Sequence, residues 1–151
     1  EFLKNLLSKY DTSNCVGIHI RFGSILGDFI DTVNLGTLNQ QDKKVLIKKI
    51  KKIVYEIKLT HPKHTIYLFS DSYNFNKDCK DTYNDIIITK GVPVHTDLGK
   101  SKLSHDKTLI DFFLLSKCKF IYQLKSKEIF SSQFSKYAAL IGSSKFETIH
   151  L

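Results

Sequence analysis

Residues 15–21 read Cys-Val-Gly-Ile-His-Ile-Arg, a largely apolar run that ends in an arginine. A run of this kind predicts a strand that is buried on both faces, as in a parallel sheet. Arg21 is the single arginine of the chain, and the other 22 basic side chains are lysines. A guanidinium can hold a phosphate or carboxylate at two points, whereas an ammonium is a point charge. Arg21 is therefore a candidate anion-binding residue, although the charge pattern alone fits an ordinary surface arginine equally well.

Apolar strand-like runs alternate with helical patterns along the rest of the chain. The predicted strands are 16–20, 65–69, 86–89, 120–124 and 146–150, with Val92 and Val94 extending the third. The predicted helices are 41–59, a short stretch after residue 72, 107–116 and 132–141, with Gly142 as the C-cap of the last. This alternation predicts an α/β fold, a Rossmann-like parallel sheet with helices on both faces.

The composition is that of a soluble globular domain, with 42% hydrophobic and 25% charged residues among 151. The apolar runs are too short to span a membrane, and no signal peptide opens the chain. The chain begins inside a predicted helix and ends inside a predicted strand. We therefore expect residues 1–151 to be a single domain of a longer protein, whose location stays open between the cytoplasm and the secretory-pathway lumen.

The three cysteines lack C-x-x-C spacing, which argues against a zinc site and a disulfide framework; Cys15 and Cys118 are expected in the core.

The formal net charge of +8 fits an anionic ligand, and it also fits nucleic acid or an acidic membrane surface. Six lysines at positions 43 to 52 lie mostly off the apolar stripe of the first long helix. No aromatic residues interleave with them, so a solvated helix face is a better interpretation than a nucleic-acid surface. His61 and His64 have a ligand-like spacing, but no third ligand is near in sequence. We interpret them as a surface pair at the end of the helix.

Candidate site residues follow the predicted strands. In parallel α/β sheets ligands bind at the carboxyl ends of the strands. Arg21, Ser70-Asp71 and the turn Phe130-Ser131-Ser132 all fall at such ends. His19 lies two residues before Arg21 and should point to the same face, although a half-buried strand histidine is the simpler interpretation. The turn leads into a helix whose free N–H groups can hold an anion, or it only caps that helix.

Asp111 is a carboxylate within the apolar run 108–115. Such a group needs a partner or a wet edge, since burying an unpaired charge is costly. It could accept paired hydrogen bonds from a guanine, or it could be an exposed residue on the polar side of a helix. Neither a G-x-G-x-x-G fingerprint nor a P-loop lysine motif is present.

Together these motifs resemble the donor-binding, C-terminal half of the H-x-R fucosyltransferases, which include protein O-fucosyltransferases and α1,6- and α1,2-fucosyltransferases. The resemblance covers roughly residues 15 to 142. The similar stretches are 16–24, 66–72, 109–121 and 131–135. Since these enzymes have the GT-B architecture, the resemblance implies that the chain is one half of a GT-B fold.

The resemblance also implies a function and roles for the candidate residues. The donor would be GDP-fucose and the acceptor a glycan or protein, with inversion at the sugar and without metal or other cofactor. No nucleic-acid partner is expected. Arg21 would be the catalytic residue, holding the β-phosphate and stabilising the departing GDP. The remaining roles go to His19 and Asp111 on the guanine, to Ser131, Ser132, Gln133 and Phe134 around the phosphates, and to Asp71 near the nucleotide or sugar.

The chain departs from the family pattern in several places. Phe22 stands where many relatives have a second basic residue, and Asp28 is the acidic residue of a loop in which α1,6 enzymes place a glutamate. Residues 125–128 look like an insertion before the serines. GT-B catalysis needs two domains, and 151 residues supply one. Two alternatives therefore stay open: a non-catalytic module that binds a guanine nucleotide or phosphate, and a basic nucleic-acid-binding domain.

Overall fold

The computed structural model describes residues 2–30, 36–93, 102–129 and 131–151, with side chains from residue 4 and, in the third segment, from residue 106. The strands are β1 (Cys15–Ile20), β2 (Thr65–Ser70), β3 (Ile86–Ile87), β4 (Phe120–Lys125) and β5 (Lys145–His150). The helices are α1 (Phe2–Leu7), α2 (Gln40–Thr60), α3 (Tyr73–Thr82), α4 (Lys102–Ser116) and α5 (Phe134–Gly142). Within these segments, none of the helices combines the length and apolar character needed to cross a bilayer.

The five strands form one sheet in the order β3-β2-β1-β4-β5, and every neighbouring pair is parallel. All six residues of β1 are buried, as expected for a central strand. His19 lies opposite Phe69 of β2 and Gln123 of β4. The carboxyl ends of β1, β2 and β4 therefore meet at one edge of the sheet.

Helices cover both faces of the sheet, and each face has its own hydrophobic core. Because side chains alternate along a strand, Ile18 and Ile20 face one core while Cys15 faces the other. The first core packs β1 and β2 against α2 and α3, through Leu46, Ile50, Val54, Ile57, Phe75 and Cys79. The second packs the sheet against α4 and α5, through Leu114, Leu115, Ala138 and Ala139. The predicted α/β fold with helices on both faces is confirmed.

Two elements differ from the prediction at the carboxyl edge. The strand predicted over 86–89 is only Ile86–Ile87, because Thr89 turns away from the sheet and hydrogen-bonds to Asp111 of α4. Val92 lies outside any strand, and Val94 lies outside the described residues. The helix predicted from Lys107 begins at Lys102. Its first turn is mostly polar and shows no apolar period, so the sequence pattern does not reveal this start.

The ends of α5 also differ from the prediction. The helix begins at Phe134, and the Ser132 hydroxyl accepts a 3.2 Å hydrogen bond from the Phe134 N–H in a turn that precedes the helix. Its C-cap is Ser143, which has a left-handed φ of 54°, so the prediction that Gly142 caps the helix was wrong. Gly142 serves close packing instead, because a Cβ there would lie 1.8 Å from the carbonyl oxygen of Ser116.

Candidate functional site

The loop after β1 carries Arg21 and is tied to the end of β2. The Asp71 carboxylate accepts hydrogen bonds from the backbone N–H groups of Phe22 and Gly23, each at 2.8 Å. Gly23 has a φ of 60°, where an L side chain would be strained. Burial raises the pKa of Asp71 to about 6, although the two N–H groups and Arg21 oppose this. Asp71 therefore fixes the backbone directly beside Arg21.

His19 projects from β1 toward the start of α5. Its Nδ1 lies 3.1 Å from the Ser135 hydroxyl, and its ring stacks on Phe134 with centroids 5.4 Å apart. Burial, together with the positive charge of Arg21, lowers the pKa of His19 to about 3. The imidazole is therefore neutral at physiological pH, and it can contribute hydrogen bonds but not a positive charge.

The turn before α5 is divided between buried and exposed residues. Ser132 is buried, and its carbonyl accepts a 2.5 Å hydrogen bond from the Gln123 side chain. Ser131 and Gln133 are exposed, while Phe130 lies outside the described residues. Phe134 and Ser135, in the first turn of α5, contact His19 at the carboxyl edge of the sheet, and the N-terminus of a helix can bind an anion.

Asp111 is buried and paired. Its carboxylate contacts the ammonium of Lys107, one helical turn earlier, and the hydroxyl of Thr89. Lys107 also donates a 2.6 Å hydrogen bond to Thr89. Burial raises the pKa of Asp111, although Lys107 and Thr89 oppose this. The interpretation of Asp111 as an exposed residue on the polar side of a helix is wrong. The carboxylate has a partner, as a buried charge requires, and that partner is Lys107.

A cavity of about 170 Å³ opens at the carboxyl edge of the sheet and brings these side chains together. Six of the eight predicted site residues line it: His19, Arg21, Asp71, Asp111, Ser132 and Phe134. Ser131 and Gln133 do not line it. The volume is below the roughly 300–1,000 Å³ of typical small-molecule sites, so the cavity can enclose only part of a nucleotide sugar.

The structure adds residues that sequence analysis missed. Lys107, Phe29 and Pro93 also line the cavity. The i,i+4 spacing of Lys107 and Asp111 is the one sequence signal that could have revealed a partner, since such residues are neighbours on a helix. Thr89 carries no comparable signal, because its contact with Asp111 depends on where β3 ends.

Other noted residues have structural roles. Phe22 stands where many H-x-R fucosyltransferases have a second basic residue. It is fully buried and packs edge-on against Phe75. Asp28 does not line the cavity; its carboxylate accepts hydrogen bonds from the Ser72 hydroxyl and the Asn74 N–H at the start of α3, each at 2.9 Å.

The cysteines, the histidine pair and the α2 lysines lie outside the cavity, and their burial can be compared with the prediction from sequence. Cys15 and Cys118 are buried as predicted. His61 and His64 lie at the end of α2 but are half-buried rather than on the surface, and His61 Nε2 lies 2.8 Å from the Tyr122 hydroxyl. Most of the α2 lysines are exposed, as a solvated face requires. Across the described parts of the chain, no group of three or more His, Cys, Asp or Glu side chains could hold a metal ion.

The sheet order and the cavity at its carboxyl edge define a Rossmann-like α/β domain. Comparison with solved structures then gives a more particular likeness, to the α1,6-fucosyltransferase NodZ. The structure of that enzyme co-crystallized with GDP matches with a TM-score of 0.59 and 17% sequence identity, over 93% of this chain. The structure soaked with GDP-fucose matches with a TM-score of 0.59 and 16% identity over 93%. A third structure, of the enzyme from Bradyrhizobium, matches with a TM-score of 0.57 and 17% sequence identity, over 92% of this chain.

This likeness establishes that the chain has the fold of a fucosyltransferase GT-B domain. The chain spans 40% of the length of each of those enzymes. Neither a family model nor a curated protein matches the sequence.

Proposed function

We propose that the chain is the donor-binding domain of an inverting, metal-independent fucosyltransferase that uses GDP-fucose. The observation that carries this is the convergence of Arg21, His19 and Asp111 on one cavity at the carboxyl edge of the sheet. The support from comparison is the fold shared with NodZ, whose structures were obtained with GDP and GDP-fucose. The proposal includes a longer chain, with residues 1–151 as its single nucleotide-sugar-binding domain.

In this proposal Arg21 binds the β-phosphate of the donor. A guanidinium can donate two parallel hydrogen bonds to phosphate oxygens. Its charge becomes most valuable as the bond to fucose breaks, because negative charge then accumulates on the departing GDP. Asp71 serves as a positioning residue, since it fixes the N–H groups of Phe22 and Gly23 next to Arg21.

The start of α5 supplies further contacts to the diphosphate. The positive dipole end of this helix favours an anion. Ser132 and Phe134 line the cavity, and the exposed Ser131 and Gln133 contact the phosphates from its rim.

Asp111 and His19 bind the guanine. A buried carboxylate can accept from the two adjacent N–H donors of that base. The neutral His19 ring offers a hydrogen bond without adding a second cation beside Arg21. The acceptor, a glycan or protein, binds largely through the other half of the enzyme.

Nucleotide binding tests the proposal directly. At a free GDP concentration one hundred times its Kd, binding stabilises the fold by about 2.7 kcal/mol. For a chain of this size the melting temperature should then rise by roughly 5–11 °C. Arg21→Lys retains the charge but loses the two-point grip, so the shift should largely disappear. Lys63→Arg, an exposed exchange of the same two residue types, should leave the shift unchanged.

Other outcomes of the binding and turnover measurements would favour a different function. A wild-type chain that GDP does not stabilise would overturn the proposal, and nucleic-acid binding with a steep salt dependence would replace it with the basic-domain alternative. Release of GDP from GDP-fucose by the whole protein would establish an enzyme. GDP binding without any turnover in the presence of acceptors would favour a non-catalytic nucleotide-binding module.

A further inference from the structure

Cys15 and Cys118 are in contact at the amino edge of the sheet, where the strands begin and which lies opposite the cavity. Cys15 is the first residue of β1, and Cys118 lies in the turn between α4 and β4. Their Sγ atoms are 3.4 Å apart, although the two residues are separated by 103 positions in the chain. Both thiols are free and buried. The sequence spacing gives no sign of this pair, because the contact depends on the parallel pairing of β1 with β4.

The backbone holds the two cysteines close enough for a crosslink. The N–H of Lys119 donates a 2.8 Å hydrogen bond to the carbonyl of Cys15, so Cys118 directly precedes the ladder that joins β1 to β4. Both side chains belong to the same hydrophobic core. A disulfide would shorten the distance between the Sγ atoms from 3.4 Å to about 2.05 Å. A closure of this size is small enough to be met by rotation of the two side chains.

We infer that Cys15 and Cys118 form a redox-sensitive disulfide, which joins the start of β1 to the turn after α4. At their other ends these two elements carry cavity residues: His19 lies in β1, Arg21 directly follows it, and Asp111 lies in α4. The crosslink therefore fixes the spacing of two elements that build the cavity, from the opposite edge of the sheet. It forms in an oxidising compartment, whereas a reducing cytosol keeps the two thiols free. The inference does not depend on the proposed function.

The oxidant is a small-molecule disulfide such as oxidised glutathione. A hydrogen bond with the Cys118 thiol lowers the pKa of Cys15, although burial opposes this, so Cys15 is the better first nucleophile. Its thiolate attacks one sulfur of the glutathione disulfide, whose S–S bond breaks and releases one glutathione. Cys118 then loses its proton and attacks the Cys15 sulfur, which releases the second glutathione. Two protein thiols are oxidised, and the two leaving glutathione thiolates take up the two protons.

A depression of about 400 Å³ at the amino edge approaches the pair from the side of Cys118. It is lined by Cys118 together with Lys117, Lys119 and Lys145, whose positive charge favours an anionic oxidant such as glutathione disulfide. Cys118 is only 2% exposed, so reaction with the folded chain requires local opening of the turn after α4. Exchange on the folded chain should therefore be slow, and the bond should form more readily while the chain folds.

Cys79 provides an internal control for the assignment. It is the third free cysteine of the chain, and it is also buried. Its side chain belongs to the core on the other face of the sheet, between β2 and α2, so β1 and β2 separate it from Cys118. Burial raises the pKa of Cys79 to about 12, which disfavours the reactive thiolate. Cys79 should therefore remain a thiol under conditions that crosslink the other two cysteines.

Refolding in a glutathione buffer tests the inference without limits from burial. The chain is diluted from urea into a mixture of oxidised and reduced glutathione, its remaining thiols are alkylated in denaturant, and its peptides are mapped by mass spectrometry without reduction. We expect a peptide pair that joins Cys15 to Cys118, together with alkylated Cys79. Alkylation of all three cysteines would overturn the inference. A bond to Cys79, or glutathione retained on Cys15 or Cys118, would overturn it as well.

Thermal unfolding then measures what the crosslink does to the fold. A bond that closes a loop of this length restricts the unfolded chain, so the oxidised protein should melt roughly 4–16 °C above the reduced protein. Cys118→Ala should melt at the same temperature in both buffers, whereas Cys79→Ala should keep the wild-type difference. Equal melting of oxidised and reduced wild type would overturn the inference of a stabilising crosslink. If Cys118→Ala does not fold, the wild-type peptide map and its melting difference decide the question.

Discussion

The carboxylate of Asp71, at the end of β2, accepts a 2.8 Å hydrogen bond from the backbone N–H of Gly23, in the loop that follows β1. A second hydrogen bond of the same length comes from the N–H of Phe22. The ends of two neighbouring strands are thus joined by one side chain. Because Arg21 directly precedes these two residues, the orientation of the anion-binding candidate depends on Asp71.

Asp71→Ala should destabilise the fold, and more so in acid. Two buried N–H groups lose their acceptor, at a cost of about 1–3 kcal/mol. Burial raises the pKa of Asp71 to about 6, above its unfolded value near 3.8. The stabilising contribution of Asp71 is therefore full below about pH 4 and is lost as the pH rises through about 6. Urea denaturation at pH 4.5 and pH 7.5 should give a smaller difference from wild type at the higher pH.

The matched control for Asp71 is Asp81→Ala, which changes an exposed aspartate on α3. It should alter stability by less than about 0.5 kcal/mol at either pH. A larger cost of Asp71→Ala at pH 7.5 than at pH 4.5 would contradict the stated ionisation of Asp71.

His19 should give the opposite pH dependence. Its pKa falls from 6.5 to about 3 on folding, so the unfolded chain binds more protons between these values. Stability should therefore rise with pH across that window, by up to about 1.4 kcal/mol per pH unit from this residue, and level off above pH 6.5. His19→Gln should reduce the slope measured by urea denaturation between pH 4 and 6.5. His150→Gln, at an exposed position of β5, should leave the slope as it is.

Local sequence patterns were sufficient to predict the central elements. β1 and β2 are apolar runs of the length that a buried strand requires, and α2 has an apolar residue on every turn. The convergence of Arg21, Asp71 and Ser132 also followed from the sequence, because parallel strands end at a common edge. The parallel topology alone is enough to predict that these three residues line a common cavity.

The contacts around Asp111 could not be predicted in the same way. Thr89 lies 22 residues before Asp111, and it reaches the carboxylate only because β3 stops at Ile87. The helical period of α4 is hidden by its polar first turn, so the sequence predicts a helix that starts at Lys107 and gives no sign that Lys107 lies inside the helix as a partner of Asp111. The roles of Gly142 and Ser143 depend on how closely α4 and α5 approach, which no local pattern encodes.

Gly142→Ala should strongly destabilise the packing of α4 against α5. The new Cβ would lie 1.8 Å from the backbone carbonyl oxygen of Ser116, where no flexible side chain can move aside. Overpacking of this kind costs typically about 1–3 kcal/mol. The free energy of unfolding in urea should fall by at least that amount. A neutral result would show that the two helices are further apart than the structure has them.

Ser143→Gly should have the opposite sign. Ser143 adopts a φ of 54°, a left-handed conformation that costs an L residue about 1–2 kcal/mol and glycine very little. Part of this gain is offset by the greater freedom of glycine in the unfolded chain. The net stabilisation should be about 0.5–1 kcal/mol in the same denaturation assay. Ser143→Ala, which retains a Cβ, should give no gain.

Ser135 should be energetically coupled to His19. The Ser135 hydroxyl is fully buried and lies 3.1 Å from His19 Nδ1, so Ser135→Ala leaves the ring nitrogen without this partner. We expect a cost of about 1–3 kcal/mol. In the double variant with His19→Gln the two costs should not add, and residues in direct contact typically show coupling of about 0.5–3 kcal/mol. Ser131→Ala, at an exposed position of the same turn, should give additive behaviour with His19→Gln. Additivity between Ser135→Ala and His19→Gln would mean that α5 does not hold the imidazole at the mouth of the cavity.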